Sequence, residues 1–88
     1  MTLTFVYRTE CSLCDAAWVE LVEFLRSAPF GDGVPVEVER IDLADERRLE
    51  LAYGHRIPVV ECDGEEICRS CFDAAALMEY FRRQAIAV

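Results

Sequence analysis

The sequence predicts an α/β fold in which a four-stranded mixed sheet is flanked by helices. Strand-like and helix-like segments follow one another in the order β-α-β-α-β-β-α. A βαβ half followed by a hairpin and a closing helix folds into one mixed sheet. A chain of 88 residues has room for one hydrophobic core. We therefore expect a single domain over residues 1–88.

The first half of the chain supplies the βαβ unit. The β-branched and aromatic run from Leu3 to Tyr7 predicts a strand. A helix should follow, because apolar residues recur at helical spacing: Trp18, Leu21, Val22 and Leu25. Residues that break helices end it: Pro29, Gly31, Gly33 and Pro35. The alternation from Val36 to Asp42 predicts a second strand, and the long crossover makes it parallel to the first.

The second half contributes two further helices. We expect a short helix from Asp45 to Tyr53, stopped by Gly54 in the left-handed conformation. The last helix should run from about Phe72 to Ile86. Its start resembles a capping box, with Ser70 followed three residues later by Asp73. Its predicted apolar face consists of Ala74, Leu77, Met78 and Phe81.

A β-hairpin should lie between these two helices. Its first strand begins at Ile57-Pro58-Val59-Val60, and Asp63-Gly64 is a strong signal for a two-residue turn. The turn sets Cys62 opposite Glu65 and Val59 opposite Cys68. Cys62 alternates onto the face of Val60, so we expect it in the core.

Charge and composition restrict the classes of function. The formal net charge of -8 should repel phosphate backbones and anionic lipid surfaces. We therefore expect no nucleic-acid partner and no membrane partner. The run from Met1 to Tyr7 has no basic region and is too short for a signal segment or a membrane span. The expected state is a cytoplasmic monomer.

The cysteines indicate thiol chemistry. The chain has five, an odd number that a fully paired disulfide scaffold cannot accommodate. In a reducing compartment such cysteines more often bind metal or carry out redox reactions. The segment Cys11-Ser12-Leu13-Cys14 lies between a predicted strand and a predicted helix. In that context a C-x-x-C motif indicates a redox dithiol.

The two thiols of this motif have different predicted roles. Backbone N–H groups at a helix N-terminus favour a thiolate, so Cys11 should be the more acidic and more exposed thiol. Cys11 is therefore the candidate nucleophile. Cys14, further along the helix on its core side, is the candidate resolving thiol. Arg8 is a candidate for stabilising the thiolate or binding a substrate carboxylate, whereas Glu10 acts in the opposite direction.

Three segments resemble glutaredoxins, and more closely a bacterial glutaredoxin-like family within the thioredoxin fold. They are the segments 8–14, 56–60 and 63–67. The element order also matches the thioredoxin fold. The resemblance implies thiol–disulfide oxidoreductase activity on a protein or low-molecular-weight disulfide. It further implies that Pro58 is cis and packs beside the dithiol, where Pro58 and Val59 present an extended substrate.

Two positions depart from the pattern of that family. Glutaredoxins usually carry a proline and an aromatic residue between the cysteines, where this chain has Ser12-Leu13. Their Gly-Gly pair, which lets glutathione approach the backbone, is replaced by Cys68-Arg69. A side chain then stands where the tripeptide would lie, so we expect no cofactor. The resemblance still makes Arg8, which aligns with a glutathione-contacting lysine, and Asp73 candidates for contacting glutathione.

A second C-x-x-C motif, Cys68-Arg69-Ser70-Cys71, is open to three interpretations. The predicted hairpin brings both motifs to one end of the sheet, with Cys71 just inside the last helix. The second pair could resolve or recharge the first by thiol exchange. Together the pairs could supply a four-thiolate metal or cluster site, although they are far apart in sequence. The favoured interpretation is that Cys68 and Cys71 are small residues near the surface.

The sequence therefore predicts an enzyme, a thiol–disulfide oxidoreductase with Cys11 and Cys14 as catalytic residues and without metal ligands. Two alternatives of other classes remain open. One is a thiolate protein that binds a metal or cluster through both C-x-x-C pairs. The other is a thioredoxin-fold interaction module without turnover.

Overall fold

The computed structural model describes residues 1–27 and 36–86, and within them the predicted element order is confirmed. The strands are β1 (Thr2–Tyr7), β2 (Glu37–Asp42), β3 (Val59–Cys62) and β4 (Glu65–Arg69). The helices are α1 (Ser12–Ser27), α2 (Glu50–Tyr53) and α3 (Ala74–Ile86). The predicted helix breakers Pro29, Gly31, Gly33 and Pro35 lie outside the described residues. Within 1–27 and 36–86, no helix combines the length and the apolar character needed to cross a membrane.

The four strands form one mixed sheet in the order β2-β1-β3-β4. β1 pairs with β2 in parallel, as predicted, and with β3 in the antiparallel direction. β3 and β4 form the antiparallel hairpin. In this arrangement β1 ends, β3 begins and β4 ends at the same edge of the sheet. The segments that leave or enter the sheet at this edge carry both C-x-x-C motifs.

The sheet is packed on both faces, and buried residues of β1 contribute to each of them. Leu3 and Phe5 join one buried cluster together with Leu21 of α1 and Leu77 of α3. Val6 alternates to the opposite face, where it packs in a second buried cluster. The other buried members of that second cluster are Leu43 and Val59. The segment that carries Cys11 thus leaves a central strand in which Leu3, Phe5 and Val6 are fully buried.

The hairpin turn has the predicted geometry. Cys62 pairs with Glu65 across the two-residue turn. Asp63 and Gly64 adopt φ values of 49° and 89°, which this kind of turn requires because its twist matches that of the strands. A carboxylate oxygen of Asp63 accepts a hydrogen bond from the Thr2 N–H at 2.9 Å, which ties the turn to β1.

A β-bulge changes the register further along the hairpin. The predicted pairing of Val59 with Cys68 is wrong, because the register shifts between Val60 and Glu61. Cys68 consequently lies opposite Val60. Directly opposed residues of an antiparallel pair share a face, so the one extra residue turns the Cys68 side chain into the core.

Helix α3 begins later than predicted and has a different cap. Its first residue is Ala74, and Oδ1 of Asp73 accepts a hydrogen bond from the Ala76 N–H at 3.1 Å. Asp73 is therefore the N-cap. The predicted capping box is wrong, because Ser70 lies in the preceding loop with a φ of 65°. Cys71 consequently lies before the helix and not inside it.

The apolar face of α3 is only partly as predicted. Leu77 and Phe81 are buried, and Met78 is half-buried. Ala74, the first residue of the helix, is exposed, so its predicted place on the apolar face is wrong. Tyr80, which the prediction left out, is buried and donates a hydrogen bond from its hydroxyl to the carbonyl of Cys62 at 3.4 Å.

The predicted helix before β3 is a 3-10 turn, Arg47–Leu49, followed by the single turn of α2. Gly54 does not stop it in the left-handed conformation, because its φ is -54°. That prediction is wrong, and the reason for glycine at this position is space. A Cβ atom on Gly54 would lie 2.5 Å from Oε1 of Glu50 and 2.7 Å from the Glu50 carbonyl oxygen.

Candidate dithiol site

Cys11 is the residue immediately before helix α1. Its carbonyl accepts a hydrogen bond from the Asp15 N–H at 3.0 Å, which is the first bond of the helix ladder. Its Sγ atom accepts a second hydrogen bond, from the Cys14 N–H at 3.2 Å. The sulfur thus occupies the position that an oxygen of serine or aspartate takes in an N-cap. This geometry fixes the half-buried Cys11 sulfur over the N-terminus of α1.

Cys14 lies in the first turn of α1 and faces the core. Its exposure is 1 %, which agrees with the predicted shielded position. Burial is the main cause that raises the pKa of Cys14 to about 11, and the hydrogen bond with the Cys11 side chain acts in the same direction. A backbone contact from Arg8 opposes these two effects. At neutral pH Cys14 is therefore held as a neutral thiol.

The loop between β1 and α1 contains a left-handed residue and is bound to β2 by a side-chain hydrogen bond. Glu10 adopts a φ of 63°, a left-handed conformation that side chains other than glycine seldom take. Oγ1 of Thr9 donates a 2.5 Å hydrogen bond to Asp42 at the end of β2. This bond is the main cause that lowers the pKa of Asp42, which also accepts a hydrogen bond from the Ala44 N–H. The loop that carries Cys11 is thus anchored to the neighbouring strand.

Arg8 lies beside the dithiol and is bound by Glu50 of α2. Nη2 of Arg8 donates to both carboxylate oxygens of Glu50, at 2.5 Å and 2.6 Å. The hydrogen bond to Glu50 is the main cause that raises the pKa of Arg8, and the charges of Asp42 and Cys11 act in the same direction. Sequence reasoning missed Glu50, because no local pattern links residues that lie 42 positions apart.

The predicted substrate-binding residues Pro58 and Val59 lie at the edge of the sheet where β1 ends. The Ile57–Pro58 peptide bond is cis, as the resemblance implied. Val59 pairs with Val6, close to the point where β1 leads into the loop that carries Cys11. Pro58, directly before β3, therefore lies at the same edge of the sheet as that loop. Both Pro58 and Val59 are fully buried. The Pro58 carbonyl accepts a hydrogen bond from the Ser70 N–H at 2.9 Å, which links this segment to the second C-x-x-C motif.

The second cysteine pair is divided between the core and the surface. Cys68 is 5 % exposed, and its Sγ lies 3.4 Å from the Asp73 N–H nitrogen and 3.6 Å from the Asp73 carbonyl oxygen. Burial is the main cause that raises the pKa of the Cys68 thiol. Cys71 is exposed in the loop before α3. The interpretation of both residues as small surface residues is therefore correct for Cys71 and wrong for Cys68.

The four-thiolate alternative finds no support in this arrangement. Among residues 1–27 and 36–86, no three or more histidine, cysteine, aspartate or glutamate side chains are grouped so that they could hold a metal ion. Cys62, the fifth cysteine, is fully buried in the core as predicted, and burial raises its pKa to about 12.

The fold and the site together define a class of protein. A β2-β1-β3-β4 mixed sheet, a C-x-x-C pair at the start of its first helix and a cis proline before β3 are the features of a thioredoxin-like protein. Within that class, residues 2–82 match the sequence model of the family described as "Glutaredoxin-like domain (DUF836)", and the chain belongs to this family.

A solved structure supports the same assignment. The X-ray structure of the Northeast Structural Genomics target protein XcR50 from X. campestris is 32% identical in sequence, with a TM-score of 0.67. The alignment covers 92% of this chain and 96% of that chain. No protein of curated function gives a significant match. The comparisons therefore indicate a thioredoxin-fold protein of the redox type.

Proposed function

We propose that this chain is a thiol–disulfide oxidoreductase with Cys11 as the nucleophile and Cys14 as the resolving thiol. The observation that carries the proposal is the 3.2 Å hydrogen bond from the Cys14 N–H to the Cys11 sulfur. It holds an accessible sulfur at a helix N-terminus, where backbone N–H groups and the helix dipole favour a thiolate. The partner thiol is buried directly behind it.

The reaction begins with attack on a substrate disulfide. The Cys11 thiolate forms a bond to one substrate sulfur, the substrate S–S bond breaks, and the second substrate sulfur leaves as a thiolate that takes a proton from water. Cys14 then loses its proton to water and attacks the Cys11 sulfur. The Cys11–Cys14 disulfide forms, the bond between Cys11 and the first substrate sulfur breaks, and that sulfur leaves as a thiolate that takes a proton from water. The substrate gains two electrons, and the protein loses two.

The pKa of Cys14 fits the second role in this sequence. Burial is the main cause that raises the pKa of Cys14, and a hydrogen bond and a charge from the Cys11 side chain act in the same direction. Both disappear when Cys11 enters a mixed disulfide, because its sulfur then carries no proton and no charge. Cys14 therefore becomes easier to ionise at the stage at which it must attack.

The proposed substrate is a protein or low-molecular-weight disulfide, and the proposed setting is a reducing compartment such as the cytoplasm. In such a compartment a C-x-x-C dithiol is kept ready for exchange. The exposed side chain of Arg69, at a position where glutaredoxins have a glycine, favours substrates other than glutathione.

A single-turnover assay tests the proposal. The fully reduced protein is mixed with insulin or with bis(2-hydroxyethyl) disulfide, samples are quenched with an alkylating agent over time, and the number of thiols that the protein has lost is measured by mass spectrometry. Cys11→Ser should lower the rate at least about 100-fold, because the attacking sulfur is lost. Cys14→Ser should retain the first step and accumulate a mixed disulfide on Cys11. Cys71→Ser is the matched control and should react like the native protein, whereas equal rates for native protein and Cys11→Ser would refute the proposal.

A further inference from the structure

We propose that Glu50 determines substrate specificity: its carboxylate occupies the anion-binding position beside the dithiol and disfavours disulfides that carry negative charge. The inference rests on the proposed function and narrows its substrate class. It predicts neutral or cationic disulfides as substrates, including protein disulfides without acidic groups next to the cysteine.

The first observation is the way Arg8 is bound. Arg8 directly follows β1 and lies three residues before Cys11, close enough for the charge of Cys11 to act on it. A guanidinium in this position would attract the carboxylate of an incoming substrate. Here both oxygens of Glu50 accept hydrogen bonds from Nη2 of Arg8. The positive charge beside the dithiol is therefore already compensated within the protein.

The second observation is the shape of the surface around this ion pair. A depression of about 330 Å³ is lined by Arg8, Leu43, Ala44, Arg47 and Glu50. Its two guanidinium groups make it suited to an anion, yet the protein supplies that anion itself. A carboxylate from outside has to compete with one that is attached to the same chain and has a high effective concentration.

The third observation is the glycine behind Glu50. A Cβ atom at Gly54 would lie 2.5 Å from Oε1 and 2.8 Å from Cδ of Glu50. The carboxylate therefore takes this position only because residue 54 has no side chain. Gly54 is in the right-handed helical conformation, which any residue adopts, so no backbone requirement explains glycine here. The lack of space beside Glu50 does, because a Cβ atom would crowd both the Glu50 carboxylate and, at 2.7 Å, the Glu50 carbonyl oxygen.

Three small disulfides of similar size and different charge test the inference. They are cystamine, which is cationic, bis(2-hydroxyethyl) disulfide, which is neutral, and 3,3′-dithiodipropionate, which is anionic. The single-turnover rate of each is measured with the native protein and with Glu50→Gln. We expect the ratio of the anionic to the neutral rate to rise about 5-fold in Glu50→Gln, and to fall back towards the native value at high salt.

Further variants separate charge from structure. Gly54→Ala should raise the same ratio, because the new methyl group displaces the Glu50 carboxylate. The double variant Arg8→Gln/Glu50→Gln should lose the gain, because the freed cation is gone. Glu65→Gln, an exposed carboxylate at the opposite end of the sheet, is the matched control and should leave the ratio unchanged. A ratio of two rates on one protein is independent of the fraction of Cys11 present as thiolate, provided that each variant is fully folded in the assay.

A second assay, which needs no disulfide reduction, tests the role of Glu50 by alkylation of Cys11. Iodoacetate and iodoacetamide alkylate Cys11 and differ in charge, and mass spectrometry of the peptide that contains Cys11 gives both rates. The iodoacetate to iodoacetamide ratio should rise about 5-fold in Glu50→Gln. An unchanged ratio in both assays would overturn the role of Glu50. If no disulfide is reduced by the native protein, the proposed function fails, while the alkylation ratio still tests the role of Glu50.

Discussion

The two C-x-x-C motifs have the same spacing and lie at the same edge of the sheet, yet they form different environments. Each has a left-handed residue directly before one of its cysteines, Glu10 with a φ of 63° and Ser70 with a φ of 65°. The first motif continues into helix α1, and the backbone N–H of its second cysteine binds the sulfur of its first. The second motif begins inside β4 and ends in a loop.

The C-x-x-C spacing alone therefore does not bring two thiols together. At a helix N-terminus, residues three apart face one another across the first turn, which brings the half-buried thiol of Cys11 and the buried thiol of Cys14 together. In the second motif the β-bulge turns Cys68 into the core, and the late start of α3 leaves Cys71 on the surface. Secondary structure, and not the C-x-x-C pattern, therefore determines whether the two cysteines of such a motif face one another.

The largest predicted effect is a loss of stability at alkaline pH, which we expect from a buried thiol and not from an exposed one. Burial raises the pKa of Cys62 from 9.0 to about 12, whereas Cys71 is exposed. Below the pKa of the Cys62 thiol in the unfolded chain, the folded and the unfolded states both hold its proton. The contribution of the buried thiol to the free energy of unfolding is then fully present. As the pH rises from 9.0 to about 12, the unfolded chain ionises first and the free energy of unfolding falls, by about 4 kcal/mol in all, or about 1.4 kcal/mol per pH unit.

Urea unfolding under reducing conditions at about pH 7 and about pH 10 measures this effect. Cys62→Ala should lose less stability between the two pH values than the native protein does. Cys71→Ala, its control, should lose as much as the native protein. The chain contains no lysine, so no lysine titration overlaps this range. Equal losses in all three proteins would contradict the assignment of the buried thiol.

The second prediction concerns the cap that keeps Cys71 outside α3. Asp73→Ala should destabilise the protein by about 1 kcal/mol, because the Ala76 N–H loses its partner. Asp73→Ser should retain most of the stability, since serine also caps helices. Ser70→Ala should change the free energy of unfolding little. A larger loss for Ser70→Ala than for Asp73→Ala would restore the capping box and would put Cys71 inside the helix.

The smallest predicted effect concerns the left-handed residues of the two motifs. Glu10→Gly and Ser70→Gly should each stabilise the protein by about 0.5 kcal/mol, because glycine relieves the positive φ but adds freedom to the unfolded chain. The double variant should show the sum, since the residues belong to separate loops. Denaturant midpoints measure the change. Destabilisation by either substitution would show that its side chain contributes more than its backbone conformation costs.

Much of the fold is predictable from the sequence, because its elements depend on local patterns. The β-branched and aromatic run of β1, the helical spacing of α1 and the Asp63-Gly64 turn each lie within a short stretch of residues. Three features are not predictable in this way. They are the register at Cys68, the start of α3 and the conformation of Gly54. A bulge, a cap and a space for a side chain depend on contacts between distant segments, which a single sequence does not display.

The candidate site divides in the same way. Cys11 and Cys14 are predictable because both the motif and the strand-to-helix position lie in one segment. The cis state of Pro58 is predictable only through the family resemblance, since cis bonds are a minority of X–Pro bonds in folded proteins. Glu50 is not predictable, because its pairing with Arg8 joins two segments that no pattern connects.

The most direct test of the central claim is a map of the disulfide that the chain itself forms. The fully reduced protein is treated with one equivalent of diamide, the remaining thiols are alkylated, and the peptides are identified by mass spectrometry. We expect one disulfide, between Cys11 and Cys14, with the other cysteines recovered as alkylated thiols. A disulfide between Cys68 and Cys71, with Cys11 and Cys14 left as free thiols, would contradict it.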